Sequence, residues 1–313
     1  MAGAWHLPEL SAALAPLLPQ LRIEIVAEID STNTELMRRA RAGDTAPVLL
    51  VAERQSAGRG RLGRPWESAG GGTDAAAKAA SPTDPASRRG TGPDPQAISL
   101  TFSLGLPFAP RDWSGLSLAV GASVADSLDP DGTAGVRLKW PNDLWLSDDR
   151  KLAGIPIETA SPVAAGASTI ATADVAGRSA GGVATAGPTA PAPRYLVIGI
   201  GINVGPREAA GLRAPPAWVR EWRPGATAAD VLRDIAPPLA RDLLAFGVRG
   251  LAPFAERFAA RDALRGREVD LSDGTSGWCE GIGWGGELRV RTAAGLQSIT
   301  TSDLSVRPRR IGD

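Results

Sequence analysis

Residues 48–66 read Val48-Leu49-Leu50-Val51-Ala52-Glu53-Arg54-Gln55-Ser56-Ala57-Gly58-Arg59-Gly60-Arg61-Leu62-Gly63-Arg64-Pro65-Trp66. The stretch passes from an apolar, β-branched run, expected to be a strand over 48–53, into a loop of glycine and arginine. Glycines let a backbone approach a ligand closely. Arg59, Arg61 and Arg64 supply forked donors suited to carboxylate and phosphate oxygens. Such a loop can hold two anions together against their mutual repulsion. By itself it can equally be a solvated basic loop or an Arg-Gly segment that binds RNA.

Working outward, residues 22–29 (RIEIVAEI) predict a strand, followed by a helix starting near Thr32. There Thr32-Asn33-Thr34-Glu35 has capping-box spacing ahead of Leu36, Met37 and Ala40. Downstream, 97–104 predicts a third strand. Leu116, Val120, Val124 and Leu128 recur at spacings of four, giving a helix over 115–128 with one buried stripe. GVRLKW, IPIE and YLVIGIGIN read as further strands, and two later helices carry Val231, Ile235, Leu239 and Leu243, then Phe254 and Phe258. Beyond Leu264 the pattern changes to short strands separated by Gly and Asp turns. The expected organisation is an α+β domain with a mixed β-sheet over residues 1–263 and a small all-β domain over 264–313, SH3-barrel-like in size. Two stretches, 68–97 and 160–193, are rich in Ala, Gly, Pro, Ser and Thr. They offer few large apolar side chains to offset ordering entropy, and read as flexible insertions between strands.

Composition narrows the chemistry. The 313 residues carry 34 basic and 34 acidic side chains, so no cationic excess holds the whole chain on nucleic acid or anionic lipid. One cysteine, Cys279, excludes an internal disulfide or a multi-cysteine zinc cluster. One histidine, His6, argues against histidine-based triads and metal sites. No segment approaches the roughly 20 apolar residues that cross a bilayer. The start, broken by Pro8, Pro16 and Pro19 and lacking a basic region, is a poor signal peptide, so the expectation is a cytoplasmic enzyme. Lysine occurs only at positions 78, 139 and 151 in an arginine-rich chain. A retained lysine can be doing something arginine cannot.

Three further clusters are candidates. Lys139-Trp140-Pro141-Asn142-Asp143 places a carboxylate beside an amide at a strand end, a set that can hold magnesium or ribose hydroxyls and that also suits an ordinary turn. Lys151-Leu152-Ala153-Gly154-Ile155 follows a charged turn, so Lys151 is either a surface charge or a compact cation facing a site. In Gly199-Ile200-Gly201-Ile202-Asn203-Val204, small residues suit a strand that admits a ligand, and Asn203 needs a partner. Its GxG is not a dinucleotide fingerprint, because no third glycine or helix start follows.

Taken in order, these pieces resemble the biotin protein ligase family. Ser31-Thr32-Asn33, Gln55 with the Gly58–Trp66 loop, Lys139–Asp143, Lys151–Ile155 and Gly199–Val204 match its motifs from about residue 22 to the expected C-terminal barrel. The resemblance implies a class II synthetase-like (biotin–lipoate ligase) fold with a C-terminal SH3-like β-barrel. It further implies an enzyme that makes biotinyl-5′-AMP from biotin and ATP and transfers biotin to a lysine of a biotin carboxyl carrier protein. By the same resemblance Ser31, Thr32, Asn33, Gln55, Gly58, Arg59, Gly60, Arg61 and Lys151 would contact biotin, with Arg61 and Lys151 catalytic. Arg61, Arg64, Trp66, Asn142, Asp143 and Asn203 would lie near ATP or the adenylate, and Asp143 would hold Mg2+. No helix-turn-helix pattern precedes residue 22, so a repressor role is not expected; neither nucleic acid nor membrane is an expected partner, and a homodimer is left open. Pro156 interrupts the strand after Gly154, where an edge or a bulge is required. Lipoate–protein ligase chemistry and a non-catalytic biotin-binding protein are the competing readings.

Overall fold

The computed structural model describes residues 5–60, 66, 98–162, 193–209, 212, 214–300 and 305–309. The chain runs α1 (Leu7–Leu14), β1 (Arg22–Ile29), α2 (Thr32–Arg41), β2 (Val48–Gln55), β3 (Ser99–Phe108) and α3 (Leu116–Leu128). It continues through β4 (Val136–Lys139), β5 (Asp143–Leu146), β6 (Lys151–Gly154), β7 (Ile157–Pro162) and β8 (Arg194–Asn203) to α4 (Ala228–Arg249) and α5 (Ala252–Arg261). The last strands are β9 (Glu268–Leu271), β10 (Ser276–Ile282), β11 (Leu288–Thr292), β12 (Gly295–Ile299) and β13 (Val306–Pro308).

The first eight strands form one sheet in the order β1-β2-β3-β8-β6-β5-β4, with β7 also pairing β8. β1 and β2 are parallel and the other pairs antiparallel, so the sheet is mixed, as expected. Its two faces differ in chemistry. One carries Leu100, Phe102 and Leu104 of β3 with Ile198, Ile200 and Ile202 of β8, all buried in the main core with residues of α1, α3, α4 and α5. The other face, under α2, is apolar only at one end, where Leu36 and Met37 pack on Val48, Leu50, Tyr195 and Val197. Beyond that patch it presents Ser99, Thr101 and Ser103 from β3, and Gly199, Gly201 and Asn203 from β8. A strand alternates its side chains between faces, so one backbone serves core and cleft together.

Several expectations need correction. The N-terminal stretch is not broken by proline throughout: Pro8 sits in the first turn of α1, where its missing N–H costs nothing. Leu10, Leu14 and Leu18 there are buried, and each full burial is worth roughly 1.5–3 kcal/mol. The cap of α2 is Ser31, whose hydroxyl accepts from Thr34 N; Thr32 is already helical and its hydroxyl is used elsewhere. α3 is not buried along one stripe but on nearly all sides, because it lies among the sheet, α4 and α5. The expected insertion at 160–193 starts later, since β7 runs to Pro162; the stretch 68–97 lies outside the described residues. Pro156 falls between β6 and β7, which both pair with β8, and its carbonyl accepts from Gly199 N. Among the described residues, no helix is long and apolar enough to cross a membrane.

The five C-terminal strands form an antiparallel sheet in the order β12-β11-β10-β9-β13. It is an open sheet, consistent with an SH3-like unit, and β12 and β13 are its two edges, so the expected barrel closure is not seen among the described strands. The sheet is fastened to the larger one at three points. Trp140 Nε1 donates to Gly286 O at 3.0 Å, Ala263 N donates to Leu138 O, and Arg267 makes a two-pronged ion pair with Asp149 at 2.7 and 2.8 Å. All three attachments reach the β4–β5–β6 meander.

Asp262 lies at this junction. Its Oδ1 accepts from Leu264 N and Arg265 N, while its Oδ2 is buried without a partner among the described residues. Burial raises its pKa, against the lowering effect of those two amides and the Arg265 charge. An acid whose folded pKa is raised weakens the fold as pH rises through its ordinary range, and the penalty is complete above the folded pKa. Asp262→Asn keeps the accepting oxygen and removes the charge. We expect it to melt higher than wild type at neutral pH, with the gap closing below the usual carboxylate range. A lower melting point at neutral pH would show that the charge is compensated.

Candidate functional site

The small-residue face of β8 sets out two groups of polar side chains. Gly199, Gly201 and Asn203 are alternate residues, so they share that face. A Cβ on Gly199 would overlap the carboxamide oxygen of Asn33 and come 2.9 Å from its Cγ. A Cβ on Gly201 would lie 2.5 Å from the Trp66 indole. Both glycines are therefore required by close approach.

The first group lies at the start of α2. Gln55 Oε1 accepts from Thr32 N at 2.8 Å, and the Ser103 hydroxyl lies 2.7 Å from Thr32 Oγ1 and 2.6 Å from Asn33 Oδ1. Asn33 Nδ2 donates to Glu158 Oε1 at 2.8 Å. Ser31, Thr32, Asn33 and Ser103 are all buried. Buried polar groups in such number need mutual bonds, and here they have them.

The second group surrounds Lys151. Its Nζ lies 2.8 Å from Asp143 Oδ1, and both residues are part-exposed. Its backbone is pinned from three directions: Lys151 N donates to Pro215 O, while Lys151 O accepts from Ala217 N and from Asn203 Nδ2 at 3.1 Å. Asn203 gives its other amide hydrogen to Ala217 O at 2.9 Å, and its Oδ1 accepts from Arg207 at 3.0 Å. Asn203 thus holds the Lys151 backbone in place, and its own carboxamide oxygen is taken by Arg207. Asn142 and Ile155 exchange bonds in both directions, tying the end of β6 to the Trp140-Pro141 turn, whose peptide is cis.

The loop of glycine and arginine leaves β2 between the two groups. Trp66 N donates to Gly58 O at 2.8 Å, closing the loop's ends, and Gly58 is buried with no room for a side chain beside the Trp66 carbonyl. Arg59 is exposed, Gly60 is half-buried, and Arg61 and Arg64 lie outside the described residues. The Arg207 guanidinium sits over the Trp66 ring, 5.7 Å from its centre. Lys139 is nearly buried, its ammonium 4.9 Å from the centre of the Trp145 ring. That motif lysine packs inside the β4–β5 hairpin.

No family model matches the chain. Individual proteins do. Over 146 residues it is 38% identical to the biotin–[acetyl-CoA-carboxylase] ligase of Mycobacterium tuberculosis, a match covering 45% of this chain and 46% of that one. Over 295 residues it is 29% identical to the bifunctional ligase/repressor BirA of Escherichia coli, covering 91% of this chain and 74% of that protein. In structure it resembles the biotin protein ligase from Aquifex aeolicus in complex with biotin and ATP, at a TM-score of 0.63 and 23% identity over 93% of this chain and all of that one.

In sequence and in fold this chain is similar to biotin protein ligases.

Three residues of this site escaped the sequence reading. Ser103 sits in a strand whose even positions are apolar, and the alternation Ser99, Thr101, Ser103 was a usable signal for a polar cleft face. Glu158 is an exposed charge in the short strand β7, and nothing in the local sequence marks it as the partner of Asn33. Arg207 follows the Gly199–Val204 motif by three residues and carried no pattern of its own.

Proposed function

We infer that this ligase activates biotin with ATP and transfers it, through biotinyl-5′-AMP, to a lysine of a biotin carboxyl carrier protein. The observation that carries this reading is the arrangement along β8. A polar pocket of amides and hydroxyls lies at Gly199, a Lys–Asp pair lies at Asn203, and an arginine loop arises between them. The first group suits a neutral cyclic urea, which needs both donors and acceptors. Lys151 suits two anions that must approach each other.

In the first step the biotin carboxylate attacks the α-phosphorus of ATP, and the bond to the bridging oxygen breaks to expel pyrophosphate. Negative charge gathers on the phosphoryl oxygens, and fixed cations aimed there lower the barrier. Lys151, immobilised through its backbone, supplies one, and Arg61 is placed by its motif to supply another. In the second step an acceptor lysine amine attacks the carbonyl of the mixed anhydride, AMP leaves with the bonding pair, and the amine loses a proton. Trp66 and Arg207 provide a flat, cationic surface suited to a nucleotide base or its phosphates.

Among the described residues, no group of three or more His, Cys, Asp or Glu could cage a metal. Magnesium carried on a triphosphate needs only one or two protein carboxylates besides phosphate and water. Asp143 would hold it, and the ion would neutralise phosphate charge when bound.

The test is incubation of the purified protein with ATP, biotin and a biotin carboxyl carrier domain, followed by intact mass of the carrier and measurement of pyrophosphate. We expect the carrier to gain one biotinyl group, in amounts that depend on ATP. Modification by lipoate in a parallel arm, with none by biotin, would overturn the assignment.

A further inference from the structure

The hydroxyls and amides at the start of α2 can be arranged in only one proton order. Ser103, fully buried, lies 2.6 Å from Asn33 Oδ1 and 2.7 Å from Thr32 Oγ1. Asn33 Nδ2 donates to the Glu158 carboxylate, which fixes the carboxamide with its oxygen toward Ser103. That oxygen carries no proton, so Ser103 must donate to it. Ser103 then has no second proton for Thr32, and their short contact requires Thr32 to donate to Ser103. The alternative, Thr32 donating to Gln55 Oε1 at 3.2 Å, would leave two oxygens 2.7 Å apart with no proton between them. The order is Thr32 to Ser103, Ser103 to Asn33, Asn33 to Glu158.

With its proton committed inward, Thr32 Oγ1 keeps only lone pairs for anything else. It is an acceptor and recognises an N–H. We propose that Ser103 and Glu158 are positioning residues that set this polarity, making the pocket selective for a ligand that presents a urea-type N–H to Thr32. The inference rests on the functional reading above, in which Thr32 and Asn33 border biotin. The packing supports it: Gly199 is the register partner of Ser103, and its missing side chain is what lets Asn33 enter the relay. Neither Ser103 nor Glu158 need touch the ligand.

The experiment measures steady-state pyrophosphate release by wild type, Ser103→Ala, Glu158→Ala and Glu158→Gln, with melting curves and a biotin analogue methylated on a urea nitrogen. Ser103→Ala frees the Thr32 proton, and Glu158→Ala frees the Asn33 carboxamide to turn over. Each should raise the biotin KM about tenfold or more while the ATP KM stays within about twofold, and should narrow the preference for biotin over the methylated analogue. Glu158→Gln retains an oxygen that accepts from Asn33 and should stay within about twofold of wild type. Unchanged biotin KM in Ser103→Ala, or biotin and ATP KM rising together, would overturn the proposal. If Ser103→Ala does not fold, the Glu158 pair decides, since equal kinetics in Glu158→Ala and Glu158→Gln have the same consequence. A wild-type protein with no biotin-dependent pyrophosphate release would overturn the functional reading and this inference with it. An active wild type with indifferent variants overturns this inference alone.

Discussion

Lys151→Ala should slow formation of biotinyl-5′-AMP by about 10²-fold or more, the rate changing tenfold for each 1.36 kcal/mol. Unit charges about 4 Å apart attract by about 4 kcal/mol at an effective dielectric near 20, before desolvation, so losing about two thirds of that suffices. The geometry adds a reason. Lys151 is paired with Asp143 at 2.8 Å, so removing the ammonium takes away an attraction and leaves a carboxylate facing the incoming anions. Lys151→Arg should restore activity only in part, because a planar guanidinium does not fit the volume of an ammonium bounded by Asp143 and Gly154. Folding should change little, since the pair is part-exposed and such pairs contribute at most about 1 kcal/mol. Rapid-quench measurement of the adenylate, with melting curves alongside, checks this; a near-normal rate in the alanine variant would return Lys151 to the status of a surface charge.

Gly199→Ala is the second large effect, expected to raise the biotin KM by about 30-fold or more. The new methyl overlaps the Asn33 carboxamide, which cannot withdraw without breaking its bonds to Ser103 and Glu158. Overpacking costs about 1–3 kcal/mol and an orphaned buried polar group about as much again. Some of that total will appear as a lower melting temperature. Gly225→Ala is the control, because a Cβ there meets nothing within 4 Å and should leave both quantities unchanged. Wild-type biotin KM in the Gly199 variant would mean that Asn33 moves freely and that the pocket is softer than its hydrogen bonds imply.

Most of the sheet was legible because its strands obey one local rule: apolar residues alternating with something else. In β3 and β8 the apolar half faces the main core, and that half alone was enough to locate both strands. What the other half does was legible only in part. Gly199, Gly201 and Asn203 stood out as a motif, whereas Ser103 and Glu158 are single residues whose meaning depends on partners 70 and 125 positions away. No local pattern encodes such a contact. At Leu7–Leu14 a proline that looks like a break begins a helix instead, because Pro8 falls in its first turn. α2 starts at Thr32, as its spacing predicts, with Ser31 just before it as the capping residue.

β8 also acts as a ruler. A strand advances about 3.3 Å per residue, so the four steps from Gly199 to Asn203 separate the two ends of the cleft by about 13 Å. That spacing belongs to the backbone repeat and cannot drift by fractions, since moving one residue along turns every side chain to the opposite face. A substrate must therefore carry its polar head and its reactive carboxylate at a matching separation, whatever the individual contacts at either end. Side-chain substitutions can retune either end of this cleft, but its gauge changes only by inserting or deleting residues in pairs.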